Sequence, residues 1–322
     1  MKILITGADG FIGKNLQLHL AERKDVQVAC FTRNDDVAQL PALLQGVDFV
    51  FHLAGINRPQ DPQEFVSGNV DLTKELCQAV CAMAEATGKR TPIVYTSSVQ
   101  AERDNPYGQS KRGAEDALLA AARSHQVPVH IFRLPNVFGK WCKPNYNSAV
   151  ATFCHNIARD LPIQVNDPAA PVTLVYVDDV IERFVQLMDG ADAAVDVAGF
   201  ATVAPQYSTT VGELARQIQA FKDSRTTLMT ERVGTGLVRA LYATYVSYLP
   251  VESFTHTAPA WRPAWRVCGN AKDAGRGAVF LFHCAPRYHP RGPLPPQQDR
   301  EVSGDQGPGT LQVPAHADWS GA

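Results

Sequence analysis

Residues 1–13 read MKILITGADGFIG: an apolar run, KILIT, that breaks into a turn carrying Gly7, Gly10 and Gly13. The run is short and rich in isoleucine, so it predicts a buried strand. The glycines follow at the strand-to-helix junction with the spacing G-x-x-G-x-x-G. Glycine permits a tight turn there, lets the backbone approach a pyrophosphate, and brings helix and strand close together. The helix that starts at this point offers free N–H groups and the positive end of its dipole to phosphates. A dinucleotide is therefore expected against Gly7, Gly10, Phe11, Ile12 and Gly13.

Downstream, strand and helix alternate for about 200 residues, the pattern of a parallel, doubly wound α/β sheet. KILIT, VQVACFT, VDFVFHLAG, PIVYTSS and VHIFRLPN read as buried strands. Lys14–Arg23, Asp71–Thr87 and Tyr107–Ser124 read as helices between them, and Leu237–Leu249 as an apolar helix further on. Thr210–Phe221 starts with threonine followed three residues later by Glu213, a capping-box signature. Pieces after about residue 140 are expected to build a smaller lobe.

The end of the second strand, VACFTRN, bears on the cofactor. An acid there would bind the ribose hydroxyls of NAD, whereas Thr32 and Arg33 stand in this chain, and a guanidinium suits a 2′-phosphate. NADP(H) is expected over NAD(H), the other reading of Arg33 being a solvated loop residue. Leu53 and Ala54, in HLAG at 52–55, are expected beside the same cofactor.

YTSSVQAERDNPYGQSK at 95–111 carries the chemistry. Tyr107 and Lys111 lie at i, i+4, one turn apart on one helix face. Asn105 suits the cap and Pro106 the first helical position. A phenol of pKa ~10 exchanges protons poorly at neutral pH unless its phenolate is stabilised, which a nearby ammonium and an oxidised nicotinamide provide. Ser98, ending a strand, can hydrogen-bond a substrate oxygen or the tyrosine.

With those residues in place, the chain resembles the extended short-chain dehydrogenases/reductases that act on nucleotide sugars. The resemblance implies a Rossmann-type doubly wound parallel sheet with a small substrate-binding lobe. It implies a triad of Ser98, Tyr107 and Lys111, with Lys111 also holding the nicotinamide ribose. FRLPNVFG (132–139) is similar to the family's R-x-x-N-x-x-G segment, which puts Asn136 near substrate, and VYVDDV (175–180) to a block before a later helix. Only 9 positions separate Ser98 from Tyr107, so the intervening loop is trimmed relative to typical dehydratases and epimerases. Val99 and Gln100 stand where 4,6-dehydratases carry Asp–Glu, which argues against elimination chemistry.

NRP at 57–59, NPYGQSK at 105–111 and FGKWCKPNYNSAVATFCHNIARDLPIQVND at 138–167 narrow the resemblance to capsule and O-antigen reductases of the CapF/WbjC type, over roughly residues 1–256. Such proteins are similar to bifunctional enzymes on the route to UDP-N-acetyl-L-fucosamine: a C-terminal zinc cupin epimerises C3 first, and the reductase domain then reduces the 4-keto sugar with NADPH. By that likeness Lys140, Lys143, Asn145 and Asn147 are expected to contact the diphosphate or uridine, a solvated polar loop being the alternative for each. Trp141 is expected to pack, with a stacking surface as its alternative.

The resemblance calls for a cupin after residue 256, but residues 256–322 hold 9 prolines and 8 glycines and show no strand or helix period beyond AVFLF. By composition this is a disordered C-terminal tail. Its histidines are scattered, so no metal is expected. GPLPPQQDREVS from Gly292 admits codons that, read one base later, spell GHYHHSKTEKF, the H-x-H-H…E text of a cupin. The tail is therefore expected to be an out-of-frame remnant, and C3 epimerase activity to be absent.

Across its 322 residues the chain is 45% hydrophobic and 19% charged, with a formal net charge of −2. That gives no reason to expect nucleic acid or a membrane surface as partner. No apolar run reaches the ~18–20 residues of a membrane span. Seven cysteines, odd in number and irregular in spacing, suggest reduced thiols and a cytoplasmic location. Cys77 and Cys81, one helical turn apart, lack a second ligand pair and are expected to pack in the core. The leading expectation is an NADPH-dependent reductase of a UDP-sugar, as a homodimer. An epimerase with tightly held NAD and a catalytically silent dinucleotide-binding protein are the alternatives.

Overall fold

The computed structural model describes residues 1–253 in full and the backbone alone at 254–255, 270–273 and 278–280. These residues all fall in one unit, Met1–Phe282. The rest of the expected tail, with its shifted-frame reading, lies outside the described residues.

β1 (Lys2–Thr6), α1 (Phe11–Ala21), β2 (Gln27–Phe31), a one-turn α2 (Leu40–Leu43) and β3 (Phe49–His52) open the chain. α3 (Leu72–Thr87), β4 (Ile93–Ser98), α4 (Pro106–His125) and β5 (Val129–Leu134) follow. The five strands form a sheet in the order β2-β1-β3-β4-β5, every pair parallel. The pleat sends successive side chains to opposite faces, and both faces are covered. Ile3 and Ile5 join Leu16, Phe51, Val94 and Phe132 in one core, while Leu4 joins Val50, Leu76, Tyr95 and Leu118 in the other. Ile3, Leu4 and Ile5 are fully buried, and each such aliphatic contributes about 1.5–3 kcal/mol. Cys77 lies in the second core with Cys81 packed against it, as expected of structural cysteines.

β6 (Asn136–Phe138), α5 (Ala149–Ile157), β7 (Pro171–Tyr176), α6 (Val177–Met188), β8 (Tyr207–Thr210), α7 (Val211–Thr227), β9 (Met229–Thr230) and α8 (Gly236–Ser247) complete the described part, with strands β10 (Asn270–Asp273) and β11 (Ala278–Phe280). β6, β7 and β8 form a mixed sheet, and β9, β10 and β11 a second small one. The apolar faces of α5 to α8 extend the first core through Phe153, Phe184, Phe221 and Tyr245.

The sheet reverses direction of growth at β1, since β2 lies on one side and β3 on the other. The crevice at the carboxyl ends of β1 and β3 is where such folds take ligands. There Leu53 N donates to Thr6 O at 3.1 Å and Ala54 N to Thr6 Oγ1 at 3.3 Å.

Helix ends follow the sequence with instructive exceptions. Asn105 caps α4 through Gly108 N at 2.8 Å, with Pro106 in the first turn. Thr210 caps α7 through Glu213 N at 3.2 Å. Glu213 does not reach back to complete the expected box. It pairs with Arg216 at 3.0 and 2.5 Å, because a guanidinium one turn on offers a charged partner. α1 starts at Phe11, three residues before the expected Lys14, because the glycine turn itself feeds the first helical turn.

Candidate active site

Gly7 has φ 68°, and a Cβ on it would stand 2.6 Å from Ala54 N, so both the turn and the crossing with the end of β3 require glycine. A Cβ on Gly13 would stand 2.4 Å from Gly7 O. At Gly10, exposed at the start of α1, a Cβ would meet only Gly7 O, at 3.1 Å, and would instead fill the space above the turn. No side chain caps α1, so the N–H groups at Phe11, Ile12 and Gly13 lack the partner that most helices supply. A pyrophosphate fits that cradle, and Leu53 and Ala54 border it.

Arg33 is exposed at the end of β2. An acid does follow it in sequence. Asp35, however, accepts from Thr32 N at 2.7 Å and Thr32 Oγ1 at 2.8 Å, and these bonds hold its carboxyl below the usual range. The tip of the strand is thereby left to the guanidinium.

The ends of β3 and β4 organise α4. Thr73 Oγ1 donates to Asn69 O at 2.5 Å, so it accepts from His52 Nε2 at 2.8 Å, and His52 Nδ1 accepts from Thr6 Oγ1 at 2.7 Å. Burial pushes the His52 imidazole down to about 3, so it stays neutral. Asn69 sits in a π turn, Val66–Asp71, ahead of α3. It clasps the backbone of Ile56 through Oδ1 at 2.8 Å and Nδ2 at 2.9 Å, and donates to Ser110 Oγ at 2.9 Å.

Ser98 and Tyr107 come together: the Ser98 hydroxyl is near enough to the phenol to favour its ionised form. Ser98 Oγ also accepts from Gln100 N at 3.2 Å, which fixes its rotamer at the start of the 3-10 turn Val99–Glu102. The Tyr107 ring lies 5.8 Å from that of Phe65. Burial pushes its phenol up and the Ser98 hydroxyl pulls it back, so it carries its proton at neutral pH. Lys111 is placed differently from the simplest expectation. Its Nζ donates to Thr96 O at 3.0 Å and Tyr95 OH at 3.3 Å and lies 5.0 Å over the Tyr95 ring. It does not touch Tyr107, because Gly55 leaves the space it occupies: a Cβ there would stand 3.0 Å from Lys111 Nζ and from Asn69 Oδ1. Burial draws the ammonium down to about 8.

The residues expected to meet substrate lie on β6 and in the loop after it. Asn136 is exposed, and its Nδ2 donates to Thr173 O at 3.0 Å. Lys143, Asn145 and Asn147 are exposed; Asn145 has φ 54°, and its N–H donates to Thr152 Oγ1 at 3.0 Å. Trp141, expected to pack, is 52% exposed with Lys140 Nζ 5.3 Å over its ring. One feature of this loop went unread in the sequence. Tyr146 donates to Arg58 O at 3.4 Å, and its ring has Arg58 at 5.7 Å and Lys143 at 5.1 Å. Two cations from loops 85 positions apart thus share one aromatic ring, and neither has an ion-pair partner among the described residues.

Among the described residues, no group of three or more His, Cys, Asp or Glu side chains could hold a metal, and no helix is long and apolar enough to cross a membrane.

The family model described as NAD dependent epimerase/dehydratase family matches residues 3–198. A UDP-2-acetamido-2,6-beta-L-arabino-hexul-4-ose reductase of Pseudomonas aeruginosa is 55% identical over 286 residues, 88% of this chain and 75% of that protein. The capsular polysaccharide assembling protein CapF from Staphylococcus aureus matches with a TM-score of 0.72 at 36% identity, over 84% of this chain and 70% of that one. A UDP-glucuronic acid 4-epimerase from Bacillus cereus, in complex with UDP-glucuronic acid and NAD, matches with a TM-score of 0.63 over 77% of this chain and 99% of that one. At 18% identity that last likeness is one of fold.

Proposed function

Because the chain belongs to the NAD dependent epimerase/dehydratase family, we propose that it is a reductase of the C4 keto group of a UDP-2-acetamido-2,6-dideoxy-hexos-4-ulose, using NADPH. The observation that carries this reading is the 55% identity, across 88% of the chain, to a reductase named for a 4-keto UDP-sugar. The likeness to a capsular polysaccharide assembling protein supports a place on the route to UDP-N-acetyl-L-fucosamine, for capsule or O-antigen.

With its pyrophosphate on the glycine turn, NADPH would supply the hydride that goes to C4 of the sugar. Tyr107 gives its phenolic proton to the oxygen as negative charge develops on it, general acid catalysis worth about 10²–10⁴-fold. Ser98, held by its bond to Gln100 N, donates to the same oxygen and orients it. Lys111, seated beneath Gly55, holds ribose hydroxyls and keeps a positive charge near the phenol without bonding it. Arg58 and Lys143, flanking Tyr146, would face the diphosphate, with Asn136 on β6 and Asn145 and Asn147 in the loop after it contacting the nucleotide sugar. Cys30, Cys77, Cys81, Cys142 and Cys154 are free, which supports the reducing setting of the cytoplasm. A homodimer completes the reading.

The full chain, mixed with NADPH and the 4-keto product of a UDP-GlcNAc 4,6-dehydratase/5-epimerase, is expected to oxidise one NADPH per keto sugar. No oxidation above background overturns the proposal, and NAD retained through purification would favour an epimerase instead.

The choice of cofactor rests on Arg33. Arg33→Ala is expected to weaken NADPH binding about 10–100-fold, the loss of a charged hydrogen bond worth about 1.5–3 kcal/mol. NADH binding should be little changed. Fluorescence titration of the two cofactors checks this, and an equal loss for both would remove Arg33 from the 2′-phosphate.

A further inference from the structure

α4 presents a third ionisable residue on the face that carries Tyr107 and Lys111. Glu115 follows Lys111 by four residues, so the three side chains stand one above another. Each is met by the end of β4. Ser98 lies beside Tyr107, Thr96 and Tyr95 accept from Lys111, and Ser97 Oγ donates to Glu115 Oε1 at 2.5 Å.

Nothing in the proposed chemistry uses Glu115, yet its side chain is only 4% exposed. Burying a carboxylate costs several kcal/mol unless it is paired and hydrogen-bonded. The pairing is built from β5. Arg133 donates through Nε to Oε1 at 3.0 Å and through NH2 to Oε2 at 2.7 Å. Its third nitrogen reaches Glu102 at 3.1 Å, and its guanidinium stacks 3.8 Å over Phe200. Glu102 is 74% exposed, so water screens it and it holds Arg133 weakly.

The other groups facing Lys111 carry no charge at neutral pH. They are Tyr107 on α4, Tyr95 on β4, His52 on β3, and the Asn69 amide with the Gly55 backbone on the far side. Among the described residues, Glu115 is the carboxylate whose field reaches the ammonium. Without it, Lys111 and Arg133 would be two cations on one buried face.

We propose that Glu115, clamped by Ser97 and Arg133, is a positioning residue that keeps Lys111 charged and so sets the alkaline edge of activity. The inference rests on the role given to Lys111 above. Reduction needs the ammonium, so kcat/KM falls as pH rises through the Lys111 titration. Tyr107 is pushed above its ordinary value and titrates beyond that edge.

Two variants test it. Glu115→Gln keeps the shape and an acceptor for Ser97 and Arg133 but removes the charge. Its alkaline limb is expected about one pH unit nearer neutrality, with about a tenfold loss near pH 9 and a small one near pH 6.5. Arg133→Gln strips the ion pair from the buried carboxylate, which then takes up a proton, so its limb should move the same way. The same signs are expected in the pH dependence of NADPH affinity. That readout stands even if the 4-keto sugar is not a substrate, which separates failure of this inference from failure of the proposed reaction. Limbs that coincide with the wild type, or losses equal at every pH, overturn the proposal. Should Glu115→Gln not fold, the shift of the Arg133→Gln limb toward neutrality decides.

Discussion

Replacing Tyr107 by phenylalanine is expected to lower kcat about a thousandfold while NADPH still binds. The substitution keeps the ring against Phe65, 5.8 Å away, and Asn105 and Pro106 still start the helix. What disappears is one O–H at the position where the developing alkoxide needs a proton. Burial holds the phenol above its ordinary value, so at neutral pH the proton is present, the state a reduction requires. Ser98 stays in place through its own bond to Gln100 N at 3.2 Å, and it continues to donate to the substrate oxygen. Residual activity therefore reports orientation and hydride delivery without the acid. General acids contribute about 10²–10⁴-fold, and the prediction sits in the middle of that range. Steady-state rates with the 4-keto sugar, beside NADPH titrations of both proteins, check it. A loss below about tenfold would mean that water or another group supplies the proton.

The parts of this site that were legible in sequence are those whose cause is local. Gly7, Gly10 and Gly13 announce a turn because only backbone neighbours a few residues away decide what fits. Asn105 and Pro106 announce a helix start, and Tyr107 with Lys111 a shared face, because helix geometry fixes four-residue neighbours. Glu115 was not legible: a glutamate on a helix is usually solvated, and only a partner 18 positions on, Arg133, shows it to be buried. The direction of Lys111 was equally hidden. Spacing places it under Tyr107, but Gly55, Thr96 and Tyr95 turn its ammonium aside. Asn69 owes its reach to a π turn, and no periodicity announces the extra residue per turn. Arg58 and Lys143 meet at Tyr146 only because the loops after β3 and β6 converge.

The second large effect separates two glycines that look alike in sequence. Gly13→Ala is expected to lower the melting temperature by about 10 °C and to abolish measurable NADPH binding. Its new Cβ would stand 2.4 Å from Gly7 O, 2.8 Å from Ala8 O and 2.9 Å from Ala8 Cα. All three are backbone atoms, so no flexible side chain can give way, and α1 must move off the end of β1. Overpacking costs about 1–3 kcal/mol and occasionally more. Contact with rigid backbone places this case at the upper end, and each kcal/mol is worth about 2–4 °C in a domain of this size. Gly10→Ala should behave differently. Its Cβ would meet one protein atom, Gly7 O, at 3.1 Å, a distance that a slight adjustment relieves. The methyl group would instead occupy the space over the first turn of α1, where the pyrophosphate must approach the N–H groups of Phe11 and Ile12. This variant is therefore expected to melt within a few degrees of the wild type yet to bind NADPH at least tenfold more weakly. Thermal denaturation with and without NADPH distinguishes the two. If both variants kept wild-type affinity, the pyrophosphate would not lie on this turn. If Gly10→Ala melted as early as Gly13→Ala, its glycine would serve the fold and not the cofactor.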